Sequence, residues 1–212
     1  MLLERKSLAK TAHSLAFAMN VFTKKLSDIP EWVVPYLNQL KSDTIQIFPS
    51  AVLSAKRTLH LYERASIEDF LRYIYYFDHK IEHLLSQTYP KKFQTIDSMI
   101  DWLEEYPALN PYEKSVSENC SELASRYAEL SRTVHGTILA DQQIVESLKD
   151  SNRQKMEPEK EEKILKGVFG AIFFLLSLFH IKDYRRLQLD ETTLICQHLS
   201  KKQIGALSGL RD

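Results

Sequence analysis

Glycine, proline and cysteine are all scarce in this sequence of 212 residues, which contains 5, 7 and 2 of them respectively. So little glycine and proline excludes collagen-like chains and proline-rich disordered chains. The two cysteines, Cys120 and Cys196, lie far apart and match no CxxC or Cys/His spacing, so we expect neither a zinc site nor a secreted disulfide framework. Both are predicted to be buried free thiols in a reducing, cytoplasmic environment.

An excess of charge of either sign is also lacking, because 28 basic side chains balance 28 acidic ones. Proteins that coat nucleic acid are usually basic, so this balance argues against that class while leaving room for a small site that handles RNA. Hydrophobic residues make up 44% of the chain and charged residues 26%, the proportions of a soluble globular protein with one sizeable core.

No hydrophobic run is long enough to span a membrane. The longest, residues 167–179, has the sequence GVFGAIFFLLSLF and is flanked by Lys166 and Lys182. A span needs about 20 apolar residues, so we predict a buried helix or a helix at a subunit interface, and no membrane partner. The N-terminal residues MLLERK lack the apolar core of a signal peptide, and none is expected.

Apolar residues recur at helical spacing along most of the chain, and no segment alternates long enough to predict a strand. Proline and capping residues divide the pattern. The predicted helices cover about 8–28, 31–47, 51–77, 79–87, 97–103, 112–134 and 159–184, followed by two short helices from a cap at Asp190 to Leu210. The sequence therefore predicts an all-α protein: a single helical-bundle domain over 1–212, with four or five long helices, short C-terminal helices and a polar loop at about 137–160.

Glu63 interrupts the apolar stripe of the long third helix. A carboxylate that faces a core needs a partner, and we expect an arginine on a neighbouring helix.

Common catalytic and ligand-binding signatures are absent: GxGxxG, the Walker-type loop, HExxH and GxSxG do not occur. His79 and His83 share a helix face, but no neighbouring carboxylate pattern completes a metal site with them. We therefore predict no metal and no cofactor, and interpret these histidines as a solvated or interface pair.

The end of the predicted helix over 112–134 carries polar residues that are suited to RNA cleavage. Ser131, Arg132 and His135 lie off its apolar stripe, with His135 at the helix end. A histidine can move a proton to or from a ribose 2′-hydroxyl, and an arginine can hold the charged phosphate, so neither role requires a metal. The alternative is a histidine that caps the helix beside an exposed arginine.

A second polar line lies on the long third helix. Arg57, Arg64, Glu68 and Arg72 fall on one helical face, which predicts a substrate-binding surface for phosphate. The alternative is a surface ladder of salt bridges, worth a few tenths of a kcal/mol per pair.

Two segments resemble the HEPN superfamily, the all-helical domains of many bacterial toxins, phage-defence proteins and RNases. The resemblance covers about 25 residues, around Arg64–Tyr76 and Tyr127–Gly136. The second segment, YAELSRTVHG, is similar to the YxxLSxxVHG stretch of HEPN-like proteins. It implies a metal-independent RNA endonuclease of a bacterial defence or toxin–antitoxin type system, acting as a homodimer that places two Arg/His sets in a shared cleft.

The family signature is an arginine followed by a histidine after four to six residues, and here positions 128–130 hold no arginine. His135 is carried over by its match to the motif. Arg132 is chosen by geometry, because on an ideal helix it lies about 60° from His135 whereas Arg126 lies about half a turn away. The alternative function is a non-catalytic interaction or scaffold module of a defence complex, whose arginines bind an antitoxin or another acidic partner protein.

Overall fold

The structure, a computed structural model, describes residues 2–89, 93–135 and 156–209, with side chains from residue 6 onwards. Within these ranges the chain is helical and contains no strand, so the predicted all-α class is confirmed. The α-helices are α1 (Leu2–Thr23), α2 (Val34–Val52), α3 (Lys56–Asp78), α4 (Lys80–Thr88), α5 (Ile96–Glu104), α6 (Glu113–His135), α7 (Pro158–Phe179), α8 (Ile181–Arg185), α9 (Leu189–Cys196) and α10 (Lys201–Ser208). A 3₁₀ helix, Pro107–Tyr112, precedes α6.

The five long helices α1, α2, α3, α6 and α7 pack into one bundle, as predicted. His60 near the start of α3 contacts Glu161 near the start of α7, and Tyr73 near the end of α3 contacts His180 just after α7. These two helices are therefore parallel. Thr11 in the middle of α1 contacts Glu162 near the start of α7, and Ser27 just after α1 contacts Asp183 just after α7, so α1 runs the same way. The intervening helices α2 and α6 run in the opposite direction, so the N-terminal ends of α3 and α7 lie beside the C-terminal end of α6.

The most apolar helix, α7, occupies the centre of this bundle and packs on α1, α3 and α6. Phe169, Ile172, Phe173 and Leu176 are each completely inaccessible to solvent. A helix that is apolar all round must be covered on every side, and here the chain's own helices cover it. The predicted buried helix is confirmed, and the alternative of a subunit interface on α7 is wrong. None of the described helices is long and apolar enough to cross a bilayer.

The predicted third helix over 51–77 is wrong at its start. The second helix continues to Val52 with Pro49 inside its last turn. The proline lacks the N–H that would bond to the carbonyl of Ile45, but here this lost bond does not end the helix. The chain then turns through Ser54, which has φ 56°, before α3 begins at Lys56. Val52 therefore belongs to α2, where its side chain is exposed.

The predicted helix over 159–184 ends early, at Phe179, because His180 leaves the helical conformation and α8 follows as a separate turn. The predicted cap at Asp190 is wrong as well, since Gln188 caps α9 in a reciprocal arrangement with Glu191. Residues 158–160 of the predicted polar loop are helical. The rest of that loop up to residue 155, and the predicted helix end at Leu210, lie outside the described residues.

Candidate functional site

The candidate site lies where the start of α3 meets the end of α6. The last carbonyl groups of an α-helix have no partner within the helix. Arg57 supplies one for α6, because its Nη2 donates a hydrogen bond to the carbonyl oxygen of Val134 at 2.8 Å. This bond brings the Arg57 guanidinium beside the last residue of the helix, His135, and both side chains are exposed.

Arg132 lies on the same last turn of α6 and is exposed as well. Among the described residues, no carboxylate pairs with Arg132 or Arg57. Arg126, the other arginine of α6, donates to Glu122 at 2.8 Å and to Glu129 at 2.9 Å. It is therefore neutralised by two carboxylates, which leaves Arg132 as the cation of α6 near His135.

Further along α3, Arg64 joins the two helices. Its Nε donates to the Ser131 hydroxyl at 3.0 Å, and its Nη2 donates to the Tyr127 hydroxyl at 2.8 Å and to Glu68 at 2.6 Å. The Tyr127 hydroxyl in turn donates to Glu68 at 2.9 Å, and the Arg64 guanidinium lies over the tyrosine ring. Burial and the Glu68 charge raise the pKa of Tyr127. The charge of Arg64 is thus used to hold α3 against α6.

The ladder continues to Arg72, which pairs with the other oxygen of Glu68 at 3.1 Å and with Asp69 at 3.4 Å. Burial and the neighbouring Asp43 carboxyl raise the pKa of Asp69 to about 7. Of the four side chains predicted to bind substrate on α3, Arg64, Glu68 and Arg72 therefore form the salt-bridge ladder of the alternative interpretation. Only Arg57 lies exposed beside His135.

A buried ion pair lies behind the site, and no sequence pattern predicted it. His60 Nε2 lies 2.6 Å from Glu161 Oε2, and Lys56 Nζ lies 3.3 Å from Glu161 Oε1. Burial raises the pKa of Glu161, but the hydrogen bonds and charges of His60 and Lys56 more than offset this, so its pKa lies below the ordinary value. The pair ties the N-terminal turn of α7 to the N-terminal turn of α3.

Glu63, one turn along α3 from His60, is completely buried, and neither of its carboxyl oxygens has a hydrogen-bond partner among the described residues. The predicted arginine partner is wrong, because the nearby Arg126 is occupied by Glu122 and Glu129. Burial raises the pKa of Glu63 well above its ordinary value, and the charge of Glu161 raises it further. The neutral acid is therefore favoured over a wider pH range than for an exposed glutamate.

We expect Glu63→Gln to flatten the pH dependence of stability. The folded chain binds the Glu63 proton more tightly than the unfolded chain, so above the ordinary pKa of 4.5 the free energy of unfolding falls as the pH rises. The contribution of one such group is up to about 1.4 kcal/mol per pH unit. Urea unfolding of both proteins at about pH 5 and about pH 7 gives the free energy of unfolding at each pH. We expect the stability of the glutamine variant relative to the wild type to increase from the lower pH to the higher. Parallel profiles would contradict the raised pKa.

His79 and His83, the pair at helical spacing just after α3, make aromatic contacts. His79 stacks on Tyr75 with ring centroids 4.1 Å apart, and His83 Nδ1 lies 3.2 Å from the Tyr36 hydroxyl. In the parts of the chain that the structure describes, no group of three or more His, Cys, Asp or Glu side chains could hold a metal ion.

Comparison of the chain with protein-family models, with curated proteins and with solved structures gave no match.

Proposed function

We propose that this chain is a HEPN-like RNA endonuclease that acts without a metal ion in a bacterial defence or toxin–antitoxin type system of the cytoplasm. One observation supports it above the others. Of the five arginines on α3 and α6, three are neutralised by carboxylates. The two without a described carboxylate partner are Arg132, which shares the last turn of α6 with His135, and Arg57, which bonds to the carbonyl oxygen of Val134.

This arrangement is suited to phosphodiester cleavage by the adjacent ribose. His135 accepts the proton of a 2′-hydroxyl, whose oxygen forms a bond to the neighbouring phosphorus. The guanidinium groups of Arg132 and Arg57 stabilise the added negative charge on the phosphate oxygens. The bond to the 5′-oxygen breaks, and this oxygen takes a proton from a second acid. The products are a 2′,3′-cyclic phosphate and a 5′-hydroxyl end.

The test uses the purified full chain and a labelled single-stranded RNA in excess EDTA. We expect cleavage with 2′,3′-cyclic phosphate ends. The matched control is the same RNA with 2′-O-methyl riboses, which cannot supply the attacking oxygen and should stay intact. Cleavage that requires an added divalent ion, or cleavage of the methylated RNA, would overturn the proposed chemistry.

The two arginines of α6 give a direct comparison. Arg132→Ala is expected to slow cleavage by about 10- to 100-fold, because it removes a cation from the phosphate. Arg126→Ala removes a side chain already neutralised by Glu122 and Glu129, so the cleavage rate of the folded protein should stay unchanged. Rates are measured under single-turnover conditions on both variants. A defect in Arg126→Ala alone would show that the assignment of Arg132 is mistaken.

A homodimer is expected, because one His135 supplies only one of the two proton transfers and a partner subunit would bring the second. Light scattering at micromolar concentration should therefore give twice the chain mass of 24.7 kDa. A stable monomer that still cleaves RNA would remove the shared cleft from the mechanism.

A non-catalytic interaction module of a defence complex is the second candidate. It is favoured by the internal pairing of Arg64, Glu68 and Arg72, which leaves Arg57 as the only arginine of α3 without a described carboxylate partner. In that case Arg57 and Arg132 would bind an acidic partner protein such as an antitoxin. A chain that binds RNA neither tightly nor in a salt-dependent manner would favour this candidate.

A further inference from the structure

The surface formed by α1 and α2 on the side away from α7 exposes large apolar side chains. These two antiparallel helices touch through His13 and Phe48, whose ring centroids are 5.5 Å apart. Around this contact, Phe17 is 55% exposed, Ile45 51%, Phe48 37% and Val52 52%. The residues of α2 follow each other in steps of three and four, so they form one stripe along the helix. We call this surface the α1–α2 face.

Lysines border the α1–α2 face, and no acidic side chain that the structure describes on α1 or α2 interrupts it. On α1, Lys6 and Lys10 lie on the same side of the helix as Phe17, and Lys24 continues this side just beyond the helix end. On α2, Lys41 lies one turn before Ile45, on the same side. None of these lysines pairs with a carboxylate among the described residues. Asp43 is the only acidic side chain described on either helix, and it is buried. The face therefore combines an apolar centre with a border of one charge.

This charge pattern decides what can cover the face. A second copy related by a two-fold axis would present the same lysines to each other, and like charges repel. Single-stranded RNA binds by stacking its bases on aromatic rings, but Ile45 and Val52 are aliphatic. An amphipathic helix fits both properties, because its apolar ridge can enter the groove between two helices while acidic residues on its flanks meet the lysines.

We propose that the α1–α2 face binds an acidic amphipathic helix of a partner protein. The interaction is independent of RNA cleavage, since none of its residues belongs to the site at His135. Burial of the apolar side chains supplies most of the affinity, and the lysines select an acidic partner over a basic one.

The probe is a labelled synthetic helix of about 20 residues, long enough to follow α2. It carries leucine at every third or fourth position and glutamate elsewhere. Fluorescence anisotropy with the full chain should show binding that weakens as salt is added. Phe17→Ser combined with Val52→Ser should weaken it at least 10-fold, and both side chains are exposed enough for the fold to survive. Leu84→Ser on α4, also exposed, is the matched control and should bind like the wild type.

A charge swap separates specific docking from nonspecific attraction. Lys10→Glu combined with Lys41→Glu should lower the affinity for the acidic peptide at least 10-fold. The same variant should bind a matching peptide that carries lysine in place of glutamate. Lys114→Glu combined with Lys201→Glu, at exposed positions elsewhere, should change neither. Each of three results would overturn the proposal: no binding at about millimolar peptide, equal binding by all variants, or tighter binding of phosphatidylglycerol vesicles or single-stranded RNA through the same lysines. A change of oligomeric mass in Phe17→Ser/Val52→Ser would assign the face to a second copy instead.

Discussion

Replacing His135 by alanine is expected to lower the rate of RNA cleavage by about 100-fold or more, the usual contribution of a general acid or base. In a dimer with two such histidines in one cleft, both proton transfers are lost together. The fold should be unaffected, because the side chain is exposed at the last residue of α6 and contributes nothing to the core. Substitutions of this kind change the free energy of unfolding by less than about 0.5 kcal/mol.

The control is His13→Ala, which removes another exposed histidine, on α1. It should cleave RNA at the wild-type rate, and thermal unfolding of both variants establishes that they are folded. Single-turnover cleavage in EDTA is the measurement. A His135→Ala protein that retains its rate would remove His135 from the proton transfer, and the interaction module would then become the leading function.

Glu161→Ala is expected to lower the free energy of unfolding by about 1–3 kcal/mol, the cost of leaving a buried hydrogen-bonding group without its partner. Glu161 is completely buried, and the substitution leaves the equally buried His60 without its 2.6 Å partner. Lys56 loses its ion pair as well. The start of α7 would then lose the described polar contacts that join it to the start of α3.

Urea unfolding at neutral pH measures this loss. Glu159→Ala is the matched control, because Glu159 lies in the same first turn of α7 but is exposed. It should shift the free energy of unfolding by no more than about 0.5 kcal/mol. A loss below about 1 kcal/mol in Glu161→Ala would show that the pair stabilises the fold no more than a surface salt bridge does.

The long helices were predictable because burial imposes a period of 3.6 residues on their apolar positions. The positions at which these helices end were harder to predict. The end of α7 at His180 coincides with a hydrogen bond between its ring and the Tyr73 hydroxyl at 2.7 Å, a contact that exists only after α3 and α7 have packed. The boundary between α2 and α3 was displaced because Pro49 indicated a helix break several residues before the chain turns.

Only part of the candidate site was predictable from the sequence. The exposure of Arg132 and His135 follows from their positions off the apolar stripe of α6. The bond from Arg57 to Val134 requires antiparallel packing of two helices that are distant in sequence, so no local pattern could indicate it. Glu161 lies among the charged residues EKEEK, which are typical of a solvated surface, and only the tertiary fold separates it from its exposed neighbours.

The central position of α7 has a consequence for the order in which the protein is made. The ribosome synthesises α1 to α6, including every residue of the candidate site, before it reaches the helix around which they pack. Thr11 can form its hydrogen bond to Glu162 only after the following 151 residues have been synthesised. Contacts this distant in sequence form slowly, because a long loop must close before they contribute. A nascent or truncated chain that lacks α7 carries His135, Arg132 and Arg57 without the bundle that assembles them, so we expect the candidate site to form only after α7 has been synthesised.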